Sequence, residues 1–329
     1  MRFLFICIPW TLLLLAAAAQ AGEGEAADLR LRLAKDAQIR YAWDIEYGTQ
    51  SKGTERGKPL DLRVDKDLKL NVRLQGIVPP SQAPIGASLR FDRFELEERR
   101  KVGEALQSRL RVDRRQIFLE ENGKVQIDSL NDIGLEKITD YQRNLRGLER
   151  HEVHLGFEST GKQAHVAGDT QLVETLYGHS SQGLFPVLAG QEVKPGEGWT
   201  DAFGIPMLGE LKLDEPAKVT SRLKFAGWMK KDGKALALVD VVSFWESTDL
   251  RGRDEAGLEV TITRLDGMGA GTCTFDPVAG AFEEGTMTFQ LKYRLEGRRE
   301  GEKTELEVEG KSRTKFKRVE LGEAGPKPE

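Results

Sequence analysis

The sequence predicts a mainly β protein: large, curved antiparallel sheets in two units, with one or two short helices in the middle of the chain. Apolar residues alternate with polar ones along most of its 329 residues, the period of strands with one face on a core and the other in water. Turn-forming residues punctuate that alternation. Only two stretches, both central, show the three-to-four spacing of a helix.

The alternation starts at Leu29, Leu31 and Leu33, set against Arg30 and Arg32. It continues with Ile39, Tyr41, Trp43, Ile45 and Tyr47 against Arg40, Ala42, Asp44 and Glu46. The same period returns in Leu60 to Val64, Leu68 to Leu74, Leu258 to Ile262 and Met287 to Leu295. Lys234 to Trp245, KALALVDVVSFW, is apolar on both parities and reads as a central strand covered on both faces. Hairpin turns are expected at Lys231-Asp232-Gly233, at Glu121-Asn122-Gly123 and at Asp276 to Gly280, where glycine, asparagine, aspartate or proline supplies the needed backbone.

Leu135, Ile138, Tyr141, Leu145 and Leu148 recur at helical spacing behind Asn131 and Asp132, which predicts a helix near 132–148. Asp169 to Gly178, DTQLVETLYG, has a capping residue at one end and glycine at the other, enough for a second short helix. The expected organisation is an N-terminal β unit over 22–168, a helix and Pro/Gly connection over 169–198, a C-terminal antiparallel unit over 199–321, and a disordered tail over 322–329. Lys194 to Gly198 is a turn that launches a strand at Trp199. The tryptophan therefore reads as packing at a seam between the units and not as a ligand-stacking residue.

The first residues carry one charge at Arg2, an apolar run from Phe3 to Ala19 broken by Pro9, and small residues at Ala19 and Ala21. This is the layout of a secretory signal peptide cleaved after Ala21. The run is too short and wrongly flanked, by Glu23 and Glu25, for a membrane anchor. The expected product is exported to a periplasmic or extracellular compartment, soluble, and without a transmembrane segment. With 49 basic and 53 acidic residues interspersed, the chain lacks the concentrated positive field that nucleic acid requires. After cleavage one cysteine remains, Cys273, which reads as a small buried hydrophobe on a strand, the alternative being a disulfide between chains.

The order of parts resembles a family of secreted bacterial β-rich proteins known as a domain of unknown function. The residues carrying the resemblance are LRLRLAKDAQIRYAWDIEYGT, HEVHLGFESTGKQAHVAG, FPVLAGQEVKPGEGW, KVTSRLKFAGWMKKDGKALALV and GAGTCTFDPVAGAFEEGTMTFQLKY. It implies a secreted, mainly β protein and supplies no catalytic residue.

All four histidines, His151, His154, His165 and His179, fall in one stretch. A turn at Thr160-Gly161 pairs Leu155 with Val166, Phe157 with Ala164, His154 with Ala167 and His165 with Gly156. That register puts His154, His165 and Glu152 on one solvent face, two imidazoles and a carboxylate that could hold zinc. The alternative is the polar face of an amphipathic hairpin, and no metal or other cofactor is assigned. His151-Glu152-Val153-His154 lacks the spacing of a helical zinc motif. Tyr177 to Gly183, YGHSSQG, misses the nucleophile elbow by one residue, so Ser180 is not a nucleophile. Gly267, Gly269 and Gly271 in GMGAGT share one strand parity and leave room for a helix, another strand or a ligand to approach. No catalytic residue is assigned. The expected function is a non-catalytic binding or scaffolding protein, its partner a protein, a polysaccharide or an apolar ligand. The alternatives are an extracytoplasmic hydrolase with a dispersed carboxylate or histidine site, and a carrier of an apolar ligand.

Overall fold

The computed structural model describes residues 24–55, 57–77, 85–150, 152–168, 185–208, 211–247, 249–253, 259–299 and 302–319. The signal segment, the second helix, Ser180 and the tail after 322 lie outside these residues. Three quarters of the described chain, 75%, is strand, and the class is mainly β and antiparallel.

The strands are β1 (Ala27–Asp28), β2 (Gln38–Glu55), β3 (Lys58–Gly76), β4 (Ile85–Val102), β5 (Ala105–Asp113), β6 (Ile117–Glu121) and β7 (Lys124–Asp128). After the helix α1 (Asp140–Gly147) come β8 (Glu152–Phe157), β9 (Gln163–Gly168), β10 (Glu192–Val193), β11 (Gly198–Leu208) and β12 (Leu211–Lys231). The last are β13 (Lys234–Ser247), β14 (Leu250–Arg253), β15 (Glu259–Asp276), β16 (Ala281–Arg299) and β17 (Glu302–Val319).

The two expected sheet units are joined into one. The order is β11-β12-β13-β15-β16-β17-β2-β3-β4, after which β4 pairs with β8 along its first part and with β5 along its second. The join is the pairing of β17 with β2, from Glu305 opposite Thr54 to Val319 opposite Arg40. Local alternation identifies β2 as a strand but carries no information on which distant strand it will meet. The small β1–β10 sheet stands apart.

From β11 through β4 and β8 to β9 the order crosses eleven strands. Laid flat at about 4.8 Å per gap, its ends would stand roughly 48 Å apart. Yet Lys162 Nζ, on the β8–β9 turn, lies 3.0 Å from Asp201 Oδ1 on β11. The sheet therefore curls until its two ends nearly meet, forming an inner and an outer face. Among the described residues no strand pairing closes the gap between β9 and β11. The connection Phe185–Gly190 fills it: Leu188 N–H donates to Thr160 O (2.7 Å), and Val187 O accepts from Trp199 Nε1–H (2.9 Å).

At one end the inner face is filled from this connection. Phe185 stacks on Phe282 with ring centroids 5.2 Å apart and meets Tyr41, Trp43 and Phe316 at 4.8 to 5.5 Å. Leu29, Leu33 and Leu188 join the same apolar cluster, so the N-terminal alternation serves this end of the core. A second cluster, around Ile205, Val219, Trp245, Ile262 and Leu295, occupies the inner face of the C-terminal strands.

Three expectations need correcting. The helix begins at Asp140, capped by Thr139, and not near 132. Asp132 and Gly134 have positive φ, and Asp128 accepts from Asn131, Leu130 and Gln116, holding that stretch as turns. Strand β13 is central and its inner face is the more covered: Ala237, Val239, Val241, Ser243 and Trp245 are buried there, while on the other parity Leu236 is buried but Leu238, Val242 and Phe244 are half-buried. Phe244 is shielded by Arg222, whose guanidinium sits 5.4 Å above the ring. At the β8–β9 tip Phe157 faces Gln163 instead of Ala164, because the turn runs from Glu158 to Lys162 and shifts the register by one. The turns at Asp232-Gly233 and Asn122-Gly123 stand as expected, each with positive φ.

Phe185→Ala removes the ring at the centre of the aromatic cluster. We expect a loss of about 3 to 5 kcal/mol of unfolding free energy in urea titration.

Candidate functional site

Cross-strand register lines up a transverse row on the inner face: Asp201, Ser221, Ser243, Gly269, Phe289, Ser312, Tyr47, Lys66 and Glu98. On one side the next row is apolar and belongs to the Phe185 cluster, through Leu223, Val241, Met287, Ile45 and Leu68. On the other side Val219 and Trp245 belong to the second cluster. A mostly polar band thus separates the two cores. It also explains why the alternation in β3 breaks between Val64 and Leu68: Lys66 occupies an inner position, but the strand does not end there.

Asp201, Ser221, Ser243, Lys66 and Glu98 of the band are each partnered. Ser221 Oγ and Ser243 Oγ share a hydrogen bond of 2.8 Å, both residues buried. Glu98 lies 3.1 Å from Lys66 Nζ and accepts from Arg100 Nε at 2.6 Å. Burial alone would raise the Glu98 carboxyl, but the Lys66 charge and the hydrogen bond and charge of Arg100 outweigh it. The group therefore sits below its ordinary range.

Gly269 belongs to the stripe seen in the sequence, and the approaching group is now identified. A Cβ on Gly269 would lie 2.3 Å from the Phe289 ring, and one on Gly267 2.9 Å from Leu291 and 3.0 Å from Trp245. Side chains of the adjacent strands lean over the stripe, in place of a helix or a ligand. Cys273 continues the same parity and is buried; burial, and then Asp240, pushes its thiol up.

Where the band reaches the gap between the sheet ends, a small depression of about 10 Å³, room for about one water molecule and partly open to solvent, is lined by Pro186, Val187, Asp201, Phe203, Ser221, Leu223 and Val241. Its walls are apolar but for Asp201 and Ser221, and Lys162 holds the Asp201 carboxylate at the rim. Its apolar walls have a carboxylate and a hydroxyl beside them, but the space between them must widen before it takes anything larger than a water-sized group. The sequence pointed here only through Trp199. Its indole N–H bonds the connection and its ring packs on the core, so it forms one wall's support as a seam residue. Asp201 and Phe203 carried no sequence signal beyond strand alternation.

The histidine hairpin has the expected backbone register for three pairs: His154 opposite Ala167, Leu155 opposite Val166 and Gly156 opposite His165. Glu152, however, is engaged by its neighbours on β4. Ser88 Oγ donates to it and Arg90 Nε donates at 2.9 Å, and these hydrogen bonds, Ser88 first, hold its carboxyl below the ordinary range. His154 is exposed. The side chain of His165, and His151 and His179 altogether, lie outside the described residues. Among those described, no three histidine, cysteine, aspartate or glutamate residues are grouped to hold a metal.

Two outcomes are expected. Dialysed protein analysed by atomic emission should carry no stoichiometric zinc, in the parent or in the His154→Ala/His165→Ala variant; one zinc per chain in the parent alone would restore the metal reading. Glu98→Gln should cost about 1.5 to 3 kcal/mol near neutral pH, the value of hydrogen bonds to a charged group. Because the folded carboxyl lies below its unfolded value of about 4.3, its stabilisation is complete above that pH and is lost as the pH falls through the folded value. Chemical denaturation across acid pH should therefore show a shallower loss in the variant than in the parent.

No protein-family model matches the chain, and no curated protein does. Among solved structures, the translocator domain of autotransporter NalP from Neisseria meningitidis is similar over 85% of this chain and 88% of that one, at 5% identity and a TM-score of 0.19. That score is too low to transfer its fold to this chain.

Proposed function

We propose that the chain is an exported, non-catalytic binding protein whose ligand is apolar, taken at the depression between the sheet ends when the unpaired seam widens to admit it. The observation carrying this reading is the lining by Val187, Phe203, Leu223 and Val241 at the one line where strand pairing does not close the described sheet. Apolar walls supply affinity in proportion to the area they remove from water. The shifted carboxylates described here are committed to structural partners, Glu98 to Lys66 and Arg100 and Glu152 to Ser88 and Arg90. Export rests on the charge, apolar run and small-residue endpoint of residues 1–21. No described helix is long and apolar enough to cross a membrane.

The hydrolase reading would draw on Asp201, the carboxylate at the same rim. Titration of the purified protein with the neutral dye N-phenyl-1-naphthylamine separates the two. Saturable fluorescence enhancement at one dye per chain is expected, weakened about tenfold, or roughly 1.4 kcal/mol, by Val187→Trp. Absence of saturable binding, or identical binding by the variant, would sink the proposal. Turnover of ester or glycoside substrates abolished by Asp201→Asn would establish the hydrolase instead.

A further inference from the structure

The outer face carries an asymmetry that the binding depression does not use. Register across the C-terminal strands aligns Thr200, Arg222, Val242, Ala270, Thr288 and Arg313 from β11 to β17. The next row adds Phe244, Met268 and Lys311. Neither row contains a carboxylate between β11 and β17, although the chain as a whole is acidic, with a net charge of −4. The flank beyond Arg222 sets Lys224 opposite Asp240, the one acid there, and Lys315 opposite Thr286, while the flank beyond Phe244 and Met268 aligns Glu246, Asp266, Lys292 and Glu309 and bounds the region on that side. Beyond β17, Glu46 and Asp44 of β2 stand opposite Arg313 and Lys315 and mark the limit of the region.

Its centre is apolar and accessible. Met268 is 57% exposed, Val242 and Phe244 are half-buried, and Arg222 lies over the Phe244 ring. Among the described residues neither Arg222 nor Arg313 makes an ion pair. On β3 and β4, by contrast, Arg63, Arg73, Arg93 and Arg99 each hold a carboxylate.

We propose that this face is a docking surface for an anionic lipid bilayer. The guanidinium and ammonium groups match headgroup phosphates, and Phe244 and Met268 reach the boundary of the acyl region, the pairing of charge and apolar area that holds proteins at membrane interfaces. A peptide partner adding a strand would need a free edge, and β12, β13, β15 and β16 are paired on both sides. The proposal stands independently of the depression on the inner face.

The test is co-sedimentation of the purified full chain with vesicles of phosphatidylcholine alone or mixed with phosphatidylglycerol. We expect partition onto the anionic vesicles only, falling as salt is raised. Met268→Glu and the double variant Arg222→Glu/Arg313→Glu should each lower the partition coefficient about tenfold. Arg63→Glu/Lys69→Glu, on the outer face of β3, should leave it unchanged, with circular dichroism confirming the fold of all four proteins. No partition onto anionic vesicles, or an equal loss in the β3 variant, would overturn the proposal. So would a dimer in vesicle-free solution that Met268→Glu dissociates, since the occupant would then be a second copy of the chain.

Discussion

A sheet curled so far along eleven of its fifteen strands that its ends stand side by side, unpaired among the described residues, must keep those ends together by other means. Here the connection Phe185–Gly190 is bonded to both: Leu188 N–H reaches the β8–β9 turn, Val187 O receives the indole of Trp199 at the start of β11, and Lys162 spans the remaining distance to Asp201. Phe185, anchored in the same connection, delivers a ring into the aromatic cluster of Tyr41, Trp43, Phe282 and Phe316. Aromatic pairs of this kind contribute about 0.5 to 1.5 kcal/mol each beyond their burial. Curl, seam and core are therefore one arrangement, and the depression exists because a connection closes the seam where strand pairing does not.

The polar band shows how the inner face carries two apolar cores without merging them. A shared hydrogen bond between Ser221 and Ser243 contributes only about 0.5 to 1.5 kcal/mol net, whereas leaving either hydroxyl buried without a partner costs more. The band thus constrains more than it stabilises. A register slip by one residue would turn these polar groups outward and carry charged neighbours into the interior. Glycines 267 and 269 complete the fit, since the Phe289, Leu291 and Trp245 side chains occupy the space their Cβ atoms would need.

Charge is distributed by the same parity. On β3 and β4 outer arginines and carboxylates neutralise one another two residues apart or across strands, as with Arg93 and Glu95 or Arg73 and Asp92. Exposed pairs of this type add little stability and mainly balance the surface. From β11 to β17 such pairs recur, as with Arg264 and Asp266 or Lys292 and Glu309, but the two rows through Val242 and through Phe244 and Met268 contain no carboxylate.

Strand positions, face parity and turn sites were legible in the residues, because alternation and positive-φ turn chemistry act over a few neighbouring positions. Tyr41, Trp43 and Ile45 are buried and Asp232-Gly233 turns the chain, as their local pattern requires. The parity of the glycine stripe was legible too, but the side chains over it belong to neighbours far along the chain. The helix start was misplaced because Asp128 draws the following backbone into turns, a preference weighed against helix spacing only once its partners are in place. By itself the sequence determined a β protein and which side chains face inward. Tertiary structure alone decided that β17 meets β2, that β9 and β11 approach without pairing, and that Asp201, Phe203 and Val187 form one depression, because each depends on contacts between residues whose separation no local period encodes.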